Sequence, residues 1–466
     1  MLNKIIETIK ELYLEVKENL SGLVVVVLVL SVVLGWMLLY MDSIRGSLVI
    51  SIFMIGIVSI CINPFLGIVG MVWAFFFLAG TVWYLSGMSW MKPELMFGIV
   101  TMICWCLKMI VSREMCFFSP VQLWVLIGLF ICMCISSLSA VYSSTISWTW
   151  NLEFLKLIII FFVFINLINS PTRFNIVYWM IVIPCGYLAL QGCRSYIMEG
   201  YSRLEQIGEG QLKGSNELAS ALCLAIPFLF YKFFSKKKLE KMLCLLIFPI
   251  IFCVIISSSR GAMVEGAIMV ILLICYTKLS PKILALITVI ALAAIIFSPQ
   301  ESWKRLKTTT DYKTEDSAVS RVELAKSGLR MWKDYPIFGV GQDNFRYIVR
   351  QYYEIPGSRQ RVAHNTYIQV LSEGGAVTFL FFILFLFLLF RDLRFVKKYA
   401  PEEFEGFQIR NMANTLIITL CGFLVDFLFS NKIYYVVPIF FYALSTALKN
   451  IVKSHGLLKD EGRGYA

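Results

Sequence analysis

The chain has 466 residues, of which 59% are hydrophobic and only 15% are charged, with a formal net charge of +12 and two histidines. Long uncharged runs at this composition exclude an ordinary soluble domain and place the sequence among polytopic helical membrane proteins. The positive charge falls mostly in short clusters between apolar runs, where the positive-inside rule already wants it, so it argues against nucleic acid as a partner.

Residues 1–20 interleave Lys and Glu with Ile5, Ile6, Ile9, Leu12 and Val16, an amphipathic spacing that predicts a helix lying along the membrane surface. The apolar run Ser21–Tyr40 exceeds a signal-peptide core and lacks a small-residue cleavage site, so it reads as a first transmembrane helix. At about 20 residues per span, roughly fourteen apolar segments follow one another, beginning near residues 21, 47, 65, 95, 120, 151, 176, 217, 242, 261, 282, 370, 411 and 433. The second is short and runs into the third at Asn63-Pro64, so the expected fold is an all-α polytopic membrane protein of about 12–14 transmembrane helices. The 13 cysteines are scattered and mostly sit in apolar segments. The members of the pairs Cys104/Cys106 and Cys132/Cys134 point away from each other on a helix and read as small core hydrophobes.

Basic clusters orient the bundle. Lys232, Lys236, Lys237, Lys238 and Lys241 share one loop, Arg391, Arg394, Lys397, Lys398 and Arg410 another, and Lys449, Lys453, Lys459 and Arg463 follow the last span. Alternation from these clusters puts both termini in the cytoplasm, and the loops Tyr142–Trp150, Met198–Asn216 and 299–366 outside. Residues 299–366 carry 12 Lys/Arg against 8 Asp/Glu, but a loop of that length translocates largely regardless of charge. Three parts result: an N-terminal transmembrane bundle at 1–298, a helical loop at 299–366, and C-terminal transmembrane helices with a basic tail at 367–466.

The stretch Ser317–Gly375 concentrates the polar chemistry. Ser320-x-x-Glu323 reads as a capping box opening a helix that ends before Pro336. On that helix Arg321 shares a face with Ala325, Gly328 and Trp332, toward the bundle, and an arginine on a packing face needs a partner. Lys326, Arg330 and Lys333 lie on another, solvated face. Gly339-Val-Gly341 lacks the strand that gives a phosphate-binding glycine loop its meaning and reads as a tight turn. A second amphipathic helix to about Glu354 places Phe345, Ile348, Val349 and Tyr352 on one side and Arg346 and Arg350 on the other. Arg359 and Arg361 follow, and His364-Asn365 opens the next span.

Arg260 follows three serines at the head of a span, and Gly261 beside it permits close approach of another helix. Arg260, Arg321, Arg346, Arg350, Arg359 and Arg361 together suit a phosphate-bearing substrate, because guanidinium forks bind phosphate oxygens in pairs and stabilise charge on a leaving phosphate. The alternative is a loop that is simply basic or that touches anionic lipid headgroups. His364 can accept a proton from a hydroxyl near neutral pH, or stand as an interfacial histidine bonded to backbone; His455 in the basic tail reads as the latter kind. Glu153 and Lys156 are spaced to pair. Glu265 and Asp426 are isolated intramembrane acids, functional candidates by default, and Glu265 lies where it could orient Arg260 or face a water-filled cavity. No acid or histidine cluster has metal-ligand spacing, so no metal site is expected.

Several stretches carry a resemblance: Ser258-Ser-Arg-Gly261, Ser320-Arg321, Tyr335-Pro-Ile-Phe-Gly-Val-Gly341 with Asn344-Phe345, and Ala363-His-Asn-Thr-Tyr-Ile-Gln-Val-Leu-Ser-Glu-Gly374. Upstream stands Gly214-Ser-Asn-Glu-Leu-Ala219, followed by Pro227. In this order and topology, over about residues 205–390, they resemble the O-antigen ligase/polymerase superfamily of bacterial inner-membrane glycan transferases. The resemblance implies transfer of a glycan from an undecaprenyl-diphosphate carrier, at the periplasmic face, to an acceptor. That acceptor is lipid A–core sugar in ligases, another lipid-linked glycan in polymerases, or a protein hydroxyl. It implies no metal and no nucleotide sugar. Carried onto this chain, Arg260 and Arg321 hold the diphosphate and His364 engages the acceptor hydroxyl or leaving phosphate, while Arg346, Arg350, Arg359, Arg361, Asn365 and Glu265 complete the candidate site. The first two hundred residues match little. A glycan-lipid transporter is the competing class; it calls for ionisable groups at mid-membrane on broken helices, whereas this chain gathers them in one loop.

Overall fold

The computed structural model describes residues 55–77, 93–112, 117–200, 204, 207–208, 210–235, 237–277, 316–352 and 361–458. The amphipathic start, the first predicted span, the segment near 282 and Arg359 lie outside the described residues. Every regular element among those described is helical, and the protein is an all-α polytopic membrane protein. In chain order the helices are α1 (Phe65–Phe77), α2 (Pro93–Ser112), α3 (Val121–Leu138), α4 (Ser144–Leu167), α5 (Pro171–Glu199), α6 (Ser215–Cys223), α7 (Ile226–Lys232), α8 (Lys238–Leu243) and α9 (Ile247–Ile256). They continue with α10 (Arg260–Tyr276), α11 (Asp316–Asp334), α12 (Phe345–Ile348), α13 (Thr366–Tyr399), α14 (Ile409–Asp426) and α15 (Val436–Ser454). Among the described residues, 7 helical stretches are long and apolar enough to cross a membrane.

The chain forms two compact units. In the first (residues 1–118 and 166–184), α1 begins where expected, after Asn63-Pro64, and the Asn63 side chain accepts from the Phe65 N–H at 3.2 Å. Glycines on α1 let α2 lie close: Gly70 faces the Phe97 ring and Gly67 the Thr101 side chain.

The second unit (residues 119–165 and 185–466) holds the candidate site. Here α13 is the central element, packed by α3, α11, α14 and α15. Its basic end is fixed by buried Asp392, which accepts from Gln122 of α3 at 2.6 Å and from Lys449 of α15 at 2.7 Å. Two boundaries differ from the sequence expectation. The supposed loop Tyr142–Trp150 is largely the opening of α4, because Ser143 and Ser147 supply local hydroxyl bonds that start the helix. Likewise α11 begins at Asp316, so Ser320 lies inside the helix rather than capping it.

The face assignment of α11 sharpens. The buried stripe of α11 is Leu324, Ser327, Gly328 and Met331, with Arg321, Ala325 and Trp332 flanking it half-buried. Gly328 lets α11 lie directly against Ile368 on the first turn of α13. Leu324 and Met331 join Val340, Phe345, Ile348, Val349 and Ala363 in a small core belonging to the polar segment itself. The segment is therefore a packed layer on α13 whose own apolar contacts hold it in place.

Candidate functional site

The layer is locked to α13 at a break in the helix. Gly375, at φ 72° and ψ −176°, interrupts α13 with a conformation open essentially only to glycine. The interruption frees the carbonyls of Ser372 and Glu373, which accept from the Val340 N–H at 2.9 Å and the Gly341 N–H at 3.0 Å. In return the Ala376 N–H donates to Pro336 at 2.8 Å. The expected tight turn at Gly339-Val-Gly341 is thus present, with φ of 68° and 97° at its glycines, and its surroundings are the α13 backbone. Asn344, fully buried, completes the anchor: its amide donates to Val340 O at 3.0 Å and to Ser147 Oγ at 3.2 Å.

His364 stands at the head of α13 in the left-handed region, at φ 49°. Non-glycine residues seldom adopt that region, and histidine is among those that do. Asn365 is the N-cap: its Oδ1 accepts from the Ile368 N–H at 3.1 Å, so its side chain is engaged in starting the helix. The segment is then stitched to the loop between α14 and α15. Asn431 Oδ1 accepts from the Asn365 N–H at 3.0 Å, Thr366 Oγ1 donates to Ser430 O at 2.7 Å, and the Lys432 N–H donates to the same hydroxyl at 2.9 Å. That loop also reaches α10, because Gly261 leaves room for the Phe429 side chain. Arg260, the first residue of α10, is set by Ser259, which caps the helix by accepting from the Ala262 N–H at 3.4 Å. Ser258 beside it is again left-handed, at φ 53°. Backbone strain at Ser258 and His364 thus sits next to two of the sequence-derived site residues, the placement expected where surrounding structure fixes functional geometry.

The charged groups acting on the imidazole are Arg321 of α11, Arg361 three residues upstream of the histidine, and Glu217 of α6. His364 is exposed as a residue, yet nearby protein desolvates its imidazole. That desolvation, followed by the Arg321 guanidinium, holds it below the usual histidine range; Arg361 adds to this and Glu217 opposes it.

The other candidates separate by role. Arg346, half-buried, is committed to an ion pair with buried Asp343 and lies over the Trp150 ring, 6.0 Å from its centroid. Asp343 itself, left-handed at φ 55°, has its carboxyl raised by burial against the stabilising pull of Arg346. Arg350 is exposed, and Arg330, expected in solvent, donates to Tyr352 O at 3.0 Å. Glu265 is fully buried, neither carboxyl oxygen has a hydrogen-bond partner among the described residues, and the charged groups acting on it are Asp426 and Lys432. Asp426 is not isolated: Ser430 Oγ donates to it at 2.8 Å and Lys432 Nζ lies 3.7 Å away. Glu153 and Lys156 pair at 2.5 Å as their spacing requires, and His455 bonds Ile451 O at 3.0 Å as a helix-end histidine. Asn431 and Lys432 escaped the sequence reading, and Glu217 entered it only within the stretch Gly214–Ala219. The signal for Lys432 was a basic residue six positions beyond an intramembrane acid.

The elements that converge on His364 and the α13 break fall largely in one continuous span. Residues 244–383 match the family described as O-antigen ligase. The match takes in Arg260, Arg321, the glycine turn, His364 and the Gly375 break, and it supports glycan transfer in general terms. No individual curated protein matches the chain.

Proposed function

We propose that the protein transfers a glycan from an undecaprenyl-diphosphate carrier to an acceptor hydroxyl at the periplasmic face of the bacterial inner membrane, with lipid A–core sugar as the acceptor. The observation that carries this reading is the placement of His364, strained and partly exposed, beside Arg321 and Arg361 at the head of a membrane-crossing helix. Guanidinium groups at that position offer paired donors to a diphosphate whose lipid tail stays in hydrocarbon. In the reaction the acceptor oxygen attacks the anomeric carbon, the bond from that carbon to the diphosphate oxygen breaks, and the anomeric centre inverts. A neutral His364 imidazole takes the acceptor proton, and Arg321 with Arg260 stabilises the charge gathering on the departing diphosphate. Arg346 supports the layer, paired to Asp343, while exposed Arg350 is available where a glycan would lie.

Purified protein given undecaprenyl-diphosphate glycan and a lipid A–core acceptor should yield the joined product, and Arg321→Ala or His364→Ala should abolish it. A deletion strain should show bare core on a lipopolysaccharide gel while lipid-linked polymer accumulates. Single repeats left on the core would instead mark a polymerase, and a normal gel would point to a protein hydroxyl as acceptor. Movement of the lipid-linked glycan across vesicles without transfer would replace the enzyme by a transporter.

A further inference from the structure

Glu265 is a buried carboxylate that the reaction as written does not use. The packing of α10 on α14 sets what it faces. A Cβ at Gly261 would stand 2.9 Å from Phe429 Cβ, and one at Gly422 would run into the Met269 side chain. Residues 261, 265 and 269 share one face of α10, and residues 422, 426 and 429 share one face at the end of α14. The two contacts make the helices antiparallel here, so Glu265, midway between Gly261 and Met269, stands opposite Asp426. On another side α6 closes the interface: the Cys223 thiol donates to Ala262 O at 3.4 Å, and Ser220 lies one turn before it. From α7, Tyr231 is tied to Thr277 at the far end of α10, 3.4 Å away, and from α9, Cys253 turns aside to donate to Ala189 O at 3.0 Å. Arg260, five residues before Glu265, is turned about 140° away around α10.

Charge in this interface is unbalanced. Asp426 accepts from Ser430 Oγ at 2.8 Å and has Lys432 Nζ 3.7 Å away, whereas neither Glu265 oxygen has a hydrogen-bond partner among the described residues. Glu265 is 0% exposed, Asp426 4% and Lys432 7%, so two carboxylates share one ammonium away from water. An uncompensated buried charge is strongly destabilising, and the imbalance is lifted when one more positive charge enters. Thr415 and Thr419 continue the Asp426 face of α14 with two further buried oxygens that lack partners among the described residues. We propose that Glu265 and Asp426 form a binding site for one monovalent cation, a proton or a sodium ion, between α10 and α14, with Lys432 balancing the second carboxylate. The inference is independent of the transferase reading. Its link to the candidate site is covalently short: Asp426 O and Oδ2 both accept from Ser430 Oγ, and Ser430 O accepts from Thr366 at the start of α13. A neutralised acid pair therefore holds the loop to which the His364 segment is stitched.

The test is denaturant unfolding of the full-length protein in detergent micelles, over a pH series at constant ionic strength, with choline or sodium as the salt cation. If the bound cation is a proton, the wild-type folding equilibrium falls by up to about tenfold per pH unit as the pH rises through the range in which that proton leaves. Glu265→Gln, isosteric and neutral, should remove this component. If the cation is sodium, replacing choline by sodium at fixed pH should stabilise the wild type and leave Glu265→Gln unchanged. Asp426→Asn also lowers the buried negative charge by one and should abolish the same response, which decides the matter where Glu265→Gln does not fold. A wild type that responds to neither cation overturns the proposal. So does either variant, once folded, that keeps the wild-type response in full.

Discussion

Gly339→Ala tests whether the lock between the polar layer and the α13 break holds the site together. A Cβ at Gly339 would stand 2.5 Å from both the carbonyl carbon and oxygen of Glu373 and 2.6 Å from the Gly375 nitrogen, all of them backbone atoms that cannot turn aside. The φ of 68° adds the left-handed penalty of a residue with a side chain, about 1–2 kcal/mol. Opening the contact breaks the Val340–Ser372 and Gly341–Glu373 bonds, each worth about 1 kcal/mol net. The expected local destabilisation is therefore about 3–4 kcal/mol, or roughly two to three orders of magnitude in the opening equilibrium. Amide hydrogen exchange at Val340 and Gly341 measures it directly. Gly406→Ala is the control: its φ is 78°, but nothing lies within 4 Å of a Cβ there, so it bears the backbone penalty alone. If Val340 and Gly341 exchange in Gly339→Ala as they do in the wild type, the glycine turn does not hold the layer.

Thr366→Val preserves shape but removes a fully buried hydroxyl that donates to Ser430 O and accepts from the Lys432 N–H; a loss of about 2–3 kcal/mol is expected in detergent unfolding, and an unchanged midpoint would refute the stitch. Asn344→Ala removes the amide bonds to Val340 O and Ser147 Oγ, which keep the Val141 N–H and Gln342 O as partners, and should cost about 1–3 kcal/mol, read as faster proteolysis between α11 and α13 with α3 and α4 intact. The transfer reaction should keep its rate to pH values below the ordinary histidine range, because desolvation, Arg321 and Arg361 together favour the neutral imidazole in the fold; it should fall as pH drops through the depressed His364 value. Arg361→Gln removes one of those influences, so the acidic limb should move to higher pH, and a limb that stays in place would separate Arg361 from the histidine.

The class of fold, the order of the apolar segments, the tight turn at Gly339–Gly341 and the helix start at His364-Asn365 were all legible in the amino-acid order. These depend on hydropathy, glycine conformation and capping chemistry, which act over a few residues. The sequence also singled out Arg260, Arg321 and His364, because polar groups in so apolar a chain are few and their motif order is distinctive. Tertiary structure alone decided which of the many arginines face the histidine. Arg321 and Arg361 act on it, whereas Arg346, one turn from Arg350 on a short helix, is taken by Asp343 three residues earlier and lies over the Trp150 ring, a neighbour 196 residues away in sequence that no local pattern names. The same holds for Glu217, Asn431 and Lys432. Each lies far along the chain from His364 and reaches its neighbourhood only because backbone and side-chain bonds draw three distant segments together. Pairing of that kind is a property of packed helices, and local sequence carries no record of it.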